Sequence, residues 1–404
     1  MADRSSIALT YLRHYFSTQE ETLEAEPRSA KPILALLREK DAMEKRILLT
    51  PEAVAVLARS GFTIWVEAGA GLGARYLDVD YSEHGAEIVD SAKAYSQADI
   101  LLKIQPPLPE EAEMMRGHQV LFSYLFQRNH SLDFVKVLQT RKITAFALEY
   151  MADRNGLLSV VRVIREIEGM ASVQIAAEYL SNSAGGKGIL LGGISGITPC
   201  EVAILGAGTA GEAAARAAMG LGAFVKVLDD DILRLEQLQN HLGTRMYTSI
   251  LHPQVLDRTL RSADVVIVAL DQDVSDLHFR ITCEMVSRMK KGSVIVDLGV
   301  GQASSIETAS CCSAEHPVGT HQGVIHYCVP YIASRVARTS SIALSNVMVH
   351  VCHEMLSVGV MPRLRSDAGL RQGVYLMNGI LTHSALADHL GLPFRDINLL
   401  MAAF

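Results

Sequence analysis

The sequence predicts an α/β protein with two Rossmann-like domains, each built on a doubly wound parallel sheet, and a cleft between them. Short apolar strands alternate with helices in both halves of the chain, which is typical of parallel sheets. A glycine motif lies between a strand and a helix in the second half. The 404 residues, 49% of them hydrophobic, are enough to bury two ordinary cores.

The elements of the first half follow a segment of different character. Residues 1–40 have a helical pattern, but the stretch 20–31 is acidic and contains Pro27, so we expect residues 1–30 to form an N-terminal arm on a flexible joint. Beyond the arm, apolar runs predict a helix at 51–60 and strands at 47–50, 63–67, 99–103 and 119–123. This alternation predicts the first parallel sheet.

The second half begins with a long helix. Apolar periodicity predicts this helix over 159–181, and the glycine-rich run 185–196 then allows the chain to pass between domains. Strands are predicted at 202–205, 224–228, 265–269 and 294–297, and a further long helix at 334–356 is expected to return to the first domain. We therefore expect one domain to be formed by residues 31–158 and 331–404, and the other by residues 159–330.

Composition and charge argue against several classes of protein. The formal net charge is −7 and the charges are well mixed, so no basic face is expected for nucleic acid. No signal peptide and no run of about eighteen apolar residues is present, which predicts neither export nor a membrane span. The six cysteines form no C-x-x-C pair and the histidines show no metal-ligand spacing. Free thiols, a cytoplasmic location and no bound metal are therefore expected.

The strongest motif is G-x-G-x-x-G between an apolar strand and an alanine-rich helix. It consists of Gly206, Ala207, Gly208, Thr209, Ala210 and Gly211. The first glycine permits a tight turn, the second lets the backbone approach a pyrophosphate, and the third lets the helix pack closely on the sheet. The N-terminus of that helix faces the negative charge. The alternative is a glycine-rich turn that packs without a ligand, but the order of strand, glycines and helix favours dinucleotide binding.

An acidic residue ends the next predicted strand. Asp229 lies eighteen residues after Gly211, where its carboxylate can accept hydrogen bonds from ribose hydroxyl groups. Asp230 and Asp231 follow directly, and three carboxylates would repel the 2′-phosphate of NADP. The sequence therefore favours NAD as the cofactor.

Five segments in collinear order resemble the alanine dehydrogenase family and its relative, the nucleotide-binding first domain of proton-translocating transhydrogenase. They are EKRILLTPEAV (44–54), VEAGAGLGARYLDVDYSEHGAEI (66–88), ADILLKIQPP (98–107), the glycine-rich stretch 185–223 and HYCVPYIASRVARTSSIALSN (326–346). The resemblance implies a substrate domain from the two ends of the chain, a central NAD domain, and reversible conversion of alanine to pyruvate, ammonia and NADH. It also implies a homo-oligomer, a dimer or a hexamer.

The resemblance assigns site residues as well. Arg46 falls at the family's carboxylate-binding arginine, and a guanidinium can bind a carboxylate bidentately. Lys103 falls at the family's substrate-binding lysine, and Tyr124 is a candidate proton donor. Arg234 and Leu270 are further candidate cofactor contacts. Without the family, Arg46 would be interpreted as part of a surface ion pair and Lys103 as a solvated lysine at a strand end.

The chain departs from the family at residues expected to line one cleft. Phe126 stands at the place of the catalytic histidine and Gly301 at the place of the catalytic aspartate, which removes two expected proton carriers. His130 could replace the histidine only if its loop folds back. The other departures are charge at Arg165 and Glu168, Tyr331 in place of an asparagine, and LDQDVSD (270–276) in place of a P-G-x-x-A-P loop.

Three functions remain open. The first is an NAD-dependent oxidoreductase in which Arg46 and Lys103 hold a small amino acid or 2-oxo acid. The second, favoured by Phe126, Gly301 and Tyr331, is a dinucleotide-binding paralogue that has lost deamination and serves as a regulatory or assembly subunit. The third keeps redox chemistry but acts on another substrate, such as a bulkier amino acid or an imine.

Overall fold

The computed structural model describes residues 31–125, 132–270, 280–300, 304–310, 312–313 and 315–403. Within these ranges the chain forms two mostly parallel sheets, of eight and seven strands, with helices packed on their faces. The α/β class predicted from the sequence is therefore confirmed. The expected N-terminal arm, residues 1–30, lies outside the described residues.

The strands are numbered along the chain. They are β1 (Ile33–Leu36), β2 (Thr63–Glu67), β3 (Glu87–Val89), β4 (Ile100–Leu102), β5 (Val120–Ser123), β6 (Thr144–Ala147), β7 (Glu201–Leu205), β8 (Phe224–Asp229), β9 (Tyr247–Ile250), β10 (Val265–Val268), β11 (Val294–Asp297), β12 (Val318–His321), β13 (Val324–Tyr327), β14 (Val374–Met377) and β15 (Ile380–Leu381). The first sheet has the order β15-β14-β6-β5-β4-β1-β2-β3, and the second has the order β12-β13-β11-β10-β7-β8-β9. Antiparallel pairing is confined to β14 with its two neighbours and to the pair β12 and β13.

The α-helices are numbered in the same way. They are α1 (Pro51–Arg59), α2 (Asp78–Glu83), α3 (Ser91–Gln97), α4 (Pro109–Met114), α5 (Leu132–Thr140), α6 (Ser159–Leu180), α7 (Thr209–Gly220), α8 (Ile232–Leu242), α9 (Pro253–Ser262), α10 (Cys283–Ser287), α11 (Ala337–Val358), α12 (Val360–Ser366), α13 (Ala368–Gln372), α14 (Ser384–Leu390) and α15 (Ile397–Ala403). No single helix in the described part of the chain has both the length and the apolar composition to cross a membrane; the pair Ile332–Val358 and Val360–Ser366, bent by 115°, meets these criteria jointly.

Alternate residues of each strand fill the two faces of its sheet. In β1, Leu34 and Leu36 belong to the core that includes α11, whereas Ala35 belongs to the core on the opposite face. All three side chains are at most 1% exposed. Strands buried on both faces need continuous apolar runs, which is why apolar runs indicated several of these strands in the sequence.

Most of the elements that were predicted from the sequence lie close to observed ones, although several observed strands were not predicted. The predicted strands at 63–67 and 294–297 have the observed bounds, and the other predicted strands of the second sheet differ by one residue at an end. The long helix predicted over 159–181 is α6, which ends one residue earlier. The helix predicted over 334–356 starts three residues later, at α11, because a short 3-10 turn precedes it.

Two local predictions were wrong. The helical pattern predicted to continue to residue 40 is interrupted by β1, which is hydrogen-bonded between β2 and β4. The strand predicted at 47–50 is absent, because its backbone N–H groups donate to side chains near and within α11 instead of to a neighbouring strand. Within this segment Ile47 donates to Ser341 and Thr50 donates to Ser345, both at 3.0 Å, and just before it Lys45 donates to Ser334 at 2.7 Å.

Candidate active site

Each sheet changes the direction of its strand order at one point. In the first sheet this point lies between β1 and β4, and in the second it lies between β7 and β10. Doubly wound sheets bind ligands at the carboxyl ends of the strands beside such a point. Arg46, Lys103 and Tyr124 follow β1, β4 and β5, which are parallel neighbours. The structure therefore brings these three predicted residues to one edge of the first sheet.

Arg46 is buried, with 3% of its surface exposed, and it is paired with Glu44. Its Nε donates to Glu44 Oε1 at 2.8 Å and its Nη2 donates to Oε2 at 2.6 Å. Burial by itself lowers the pKa of Arg46, but the carboxylate of Glu44 outweighs burial and the net shift is upward. Arg46 is therefore a fixed cation in a buried pair, not part of a surface ion pair.

Lys103 is also buried and paired rather than solvated. Its Nζ forms a salt bridge with Glu111 in the first turn of α4, and Lys103 is 2% exposed. The same carboxylate accepts the backbone N–H of Leu108 at 2.8 Å, as in a helix capping box. Because α4 holds Glu111 in this way, the ammonium group is fixed at the carboxyl end of β4.

Tyr124 lies beside Arg46 and is 8% exposed. Burial raises the pKa of its hydroxyl group, although the nearby Arg46 cation acts in the opposite direction. Tyr124 therefore stays a neutral hydroxyl group, which can donate a hydrogen bond or a proton. The next residue, Leu125, donates its backbone N–H to both carboxylate oxygens of Glu149, at 2.8 and 2.9 Å.

One turn of α6, at Glu168 and Gly169, lies between Arg46 at the edge of the first sheet and the glycine motif of the second sheet. Glu168 is close enough to Arg46 to act on the pKa of its guanidinium, and its Oε2 lies 3.3 Å from Arg165 Nη1. The charges noted in the sequence at Arg165 and Glu168 thus compensate each other. The neighbouring Gly169 packs so closely on the Ala210 carbonyl group that a Cβ atom would collide with it. Helix α6 therefore lies beside both Arg46 and the glycine turn.

The glycine motif has the geometry of a pyrophosphate cradle. Gly206 has a φ of 108°, and a Cβ atom there would collide with the Ala269 carbonyl group. A Cβ atom at Gly211 would collide with the Gly206 carbonyl oxygen. Gly208 is the N-cap of α7 and has no side chain to occupy the N–H groups of the first turn. These features fit the diphosphate of a dinucleotide.

The other residues of the motif support this turn. Ala207 and Ala210 are buried and Thr209 is exposed. Leu270, a predicted cofactor contact, follows β10 and places its backbone nitrogen beside Gly206, 3.1 Å from where a Cβ atom would be. The structure therefore brings Leu270 to the glycine turn.

Asp229 at the end of β8 shapes the glycine turn directly. It is 2% exposed, its Oδ2 accepts the backbone N–H of Ala207 at 2.5 Å, and its Oδ1 accepts that of Asp231 at 2.8 Å. Burial raises the pKa of this carboxyl group, while the two N–H groups lower it in part. The predicted contact of Asp229 with a ribose remains a prediction. Arg234 lies nearby in α8, half-buried, with its Nε 3.8 Å from Asp231 Oδ2.

Several sequence departures fall at the limits of the described residues. Phe126, His130, Gly301 and the loop 271–276 lie outside them. The strand-end acid Asp297 is described: its Oδ1 accepts the backbone N–H of residue 299 at 2.8 Å and its Oδ2 accepts the hydroxyl group of residue 304 at 2.6 Å. The structure thus gives Asp297 a role in holding the segment that leads toward residue 301.

Sequence reasoning missed the acidic residues of the site. Glu44 and Glu111 compensate the two predicted cations, and Glu39 bridges the ends of β1 and β4. Two short runs in the sequence could have indicated these carboxylates. The E-K-R run places Glu44 two residues before Arg46, and the L-P-E-E run after Lys103 has the spacing of a capping box. Within the described ranges, no three His, Cys, Asp or Glu side chains are grouped to hold a metal ion.

Glu39 is a carboxyl group whose pKa is raised above its ordinary value. Its Oε1 accepts the backbone N–H of Ile104 at 2.6 Å and its Oε2 accepts that of Gln105 at 3.2 Å. Burial, and then the charge of Glu44, raise the pKa of Glu39 to about 8, although Lys103 acts in the opposite direction. Glu39 therefore holds a proton in the folded protein at pH values where the unfolded chain has released it.

We expect Glu39→Gln to flatten the dependence of folding stability on pH. The wild-type stability supplied by this proton is fully present below pH 4.5, the ordinary pKa, and is lost as the pH rises to about 8. Denaturant unfolding across this range should show a decline of roughly 1 kcal/mol per pH unit that the variant lacks. Equal slopes in both proteins would show that Glu39 does not hold the proton.

Comparison with known proteins places the chain in a family. Residues 35–167 match the family description "Alanine dehydrogenase/PNT, N-terminal domain", and residues 172–384 match "Alanine dehydrogenase/PNT, C-terminal domain". The chain is 34% identical to an alanine dehydrogenase of Staphylococcus saprophyticus over 366 residues, which covers 90% of this chain and 98% of the relative. It is 35% identical to an alanine dehydrogenase of Bacillus subtilis over 363 residues, covering 90% and 96%.

Solved structures give the same result. A structure of L-alanine dehydrogenase matches with a TM-score of 0.80 and 31% identity, covering 88% of this chain and 98% of that one. A transhydrogenase structure from Sinorhizobium meliloti shares the fold, with a TM-score of 0.73 at 24% identity, covering 86% and 99%. The two family matches together cover most of the chain. The chain therefore belongs to the alanine dehydrogenase/PNT family.

Proposed function

We propose that this protein is an NAD-dependent oxidoreductase of the alanine dehydrogenase type, which reversibly deaminates L-alanine or a related small amino acid. The balanced reaction converts alanine, NAD⁺ and water to pyruvate, ammonium, NADH and a proton. The observation that carries the proposal is the position of two buried cations, Arg46 and Lys103, at one sheet edge that α6 connects to the glycine turn. Family membership and the identities to alanine dehydrogenases support it.

The proposal gives each part of the cleft a role. The substrate domain consists of residues 31–158 and 331–404, and the NAD domain consists of residues 159–330. The glycine turn and Asp229 would hold NAD, with Arg234 and Leu270 as further contacts; when bound, the cofactor supplies a hydride acceptor or donor. Arg46 then binds the substrate carboxylate.

The remaining groups act on the reacting end of the substrate. In this proposal Lys103 donates a hydrogen bond to the carbonyl or imine group, and Tyr124 donates or accepts the proton. Both groups are fixed by buried neighbours, so little reorganisation is needed when the substrate binds. The ammonium group of Lys103 remains bonded to Glu111. The hydrogen bond to the substrate must therefore come from one of its other N–H groups.

A second candidate is a paralogue that binds the dinucleotide but does not deaminate. The observation in its favour is that both cations are already compensated by carboxylates, Arg46 by Glu44 and Lys103 by Glu111. The family's proton carriers are also replaced, by Phe126 and Gly301. Such a protein would act as a regulatory or assembly subunit. In either case we propose a homo-oligomer, a dimer or a hexamer, by analogy with the family.

One assay separates the two candidates. NADH absorbance is followed with alanine and NAD⁺, and in reverse with pyruvate and ammonium, at high protein concentration. Turnover on the order of one per second or more supports the dehydrogenase. NADH binding detected by fluorescence, without turnover on a panel of amino acids, supports the second candidate and contradicts the first.

Arg46→Lys is the matched control for this assay. It keeps a positive charge beside Glu44 but lacks the planar fork that binds a carboxylate bidentately. If the measured turnover belongs to this site, the KM for pyruvate rises in the variant while NADH affinity is unchanged. An unchanged KM would assign the activity to another site or to a contaminating enzyme.

A further inference from the structure

Tyr331 has an unusual backbone conformation at the edge of the cleft. Its φ is 59° and its ψ is 50°, the left-handed region that bulky side chains rarely adopt. It lies between β13 and α11, at the start of the 3-10 turn Ile332–Val336. Such a conformation persists only where its surroundings require it, and it is concentrated at functional positions.

The side chain of Tyr331 is connected to Arg46 by a series of hydrogen bonds. Its hydroxyl group is hydrogen-bonded to the side chain of Gln105. Gln105 Nε2 donates to Glu44 Oε2 at 3.2 Å, and that oxygen accepts Nη2 of Arg46 at 2.6 Å. The Gln105 amide therefore lies between the phenol and the carboxylate that holds the guanidinium.

The same turn also holds the backbone around Arg46. The Ser334 hydroxyl group accepts the backbone N–H of Lys45 at 2.7 Å, and the N–H of Ser334 donates to the carbonyl group of Tyr331 at 2.7 Å. The turn thus contacts the Arg46 segment twice, through Ser334 at the backbone and through Tyr331 at the side chains. Left-handed geometry at Tyr331 allows both contacts to be made from one short turn.

Glu44 determines which part of the guanidinium is available to a substrate. Because it accepts from Nε and Nη2, the edge that carries these two atoms is occupied, and the remaining donors are the two N–H groups of Nη1 and the second N–H group of Nη2, which faces the Nη1 side. A carboxylate that binds Arg46 must therefore approach from that side, unless Glu44 moves. Any group that fixes Glu44 consequently fixes the direction from which the substrate carboxylate is bound.

We infer that Tyr331 is a positioning residue: through the Gln105 amide and the Glu44 carboxylate, it sets which edge of Arg46 is offered to a substrate carboxylate. This inference rests on the proposed function, because it takes Arg46 to be the carboxylate-binding residue. It concerns substrate affinity, not proton transfer. Tyr331 replaces the asparagine expected from the family at this position, so this series of hydrogen bonds is specific to this chain.

The test measures binding of oxamate, an unreactive analogue of pyruvate, by calorimetry with the full chain in the presence of NADH. Tyr331→Phe keeps the ring and the backbone conformation but removes the hydroxyl group. We expect oxamate affinity to fall about three- to tenfold, the effect of one hydrogen bond, while NADH affinity is unchanged. In turnover, the KM for pyruvate should rise by the same factor and kcat should change little.

Two further variants distinguish positioning from a structural role. Gln105→Ala should weaken oxamate binding as much as Tyr331→Phe does, and the double variant should be no weaker than either, because both break the same series of bonds. Tyr331→Asn relieves the left-handed strain, since asparagine tolerates this region, and it should raise the midpoint of thermal unfolding while still weakening oxamate. An affinity that follows thermal stability across the variants would overturn the inference.

The outcomes separate this inference from the proposed function. Wild-type and Tyr331→Phe proteins that bind oxamate equally would overturn the positioning role, whatever their turnover. Failure of the wild-type protein to bind oxamate at all would overturn it too, because Arg46 would then not be a carboxylate site. Binding that weakens as expected in a protein without turnover would support the positioning role and contradict the dehydrogenase.

Discussion

Lys103→Ala should reduce turnover by about 10²- to 10³-fold, because the variant loses the positive charge that the proposed reaction places next to the carbonyl or imine group. The same change leaves the carboxylate of Glu111 buried without its partner. Removing one member of a buried ion pair typically destabilises a protein by about 3–5 kcal/mol. We therefore expect loss of activity and loss of stability together, measured by steady-state kinetics and by denaturant unfolding.

A double variant separates these two effects. Lys103→Met with Glu111→Gln leaves no charge in the pair, and the glutamine keeps an acceptor for the Leu108 N–H. It should recover most of the lost stability and bind NADH like the wild type while remaining inactive. A stable double variant with wild-type turnover would show that Lys103 has only a structural role. A double variant that stays unfolded would show that the charge pair is required for the fold itself.

Gly211→Ala should weaken NADH binding by more than about 100-fold. The new methyl group would meet the Gly206 carbonyl oxygen, and neither can rotate away, because a Cβ atom is fixed to its Cα and the carbonyl group belongs to the backbone. Helix α7 must then move away from the turn, and its N–H groups no longer face the diphosphate. Overpacking of this kind also destabilises a protein by about 1–3 kcal/mol. Fluorescence titration with NADH measures the first effect and thermal unfolding the second.

Gly220→Ala is the matched control for this substitution. Gly220 is the last residue of the same helix, α7, and a Cβ atom there would contact nothing within 4 Å. Because alanine favours the helical conformation, this variant should be as stable as the wild type or more stable, by up to about 1 kcal/mol. Its NADH affinity should be unchanged. Retained binding in Gly211→Ala would mean that the diphosphate does not lie at this turn.

The sequence was most informative about features that depend on residues close together in the chain. Buried strands need continuous apolar runs, so β2 and β11 could be located by their hydrophobicity to the residue. The glycine turn was predictable for the same reason, since tight turns and close helix packing require glycine wherever they occur in a chain. The apolar run at 47–50 was misleading, because apolar character shows that a segment is buried but not which groups take its hydrogen bonds.

Resemblance to a family located Arg46 and Lys103, and Tyr124 was a candidate substitute for the missing proton carrier; the structure brings all three to one sheet edge. Neither pattern nor resemblance predicted that Arg46 is paired with Glu44, or Lys103 with Glu111. Glu44 and Glu111 lie two and eight residues from their partners in the chain, and only the folded backbone determines whether such side chains meet. The electrostatic state of the two cations is therefore a property of the folded cleft.

By itself, the sequence determined the α/β class, the glycine turn and the family of this protein, because these depend on hydrophobic periodicity and on residues close together in the chain. Only the tertiary structure decided how the cations are compensated and how the Tyr331 turn holds the Arg46 segment. The Lys45 and Ser334 contact joins residues 289 positions apart. Contacts of that kind follow from strand order and helix packing, which local sequence does not encode.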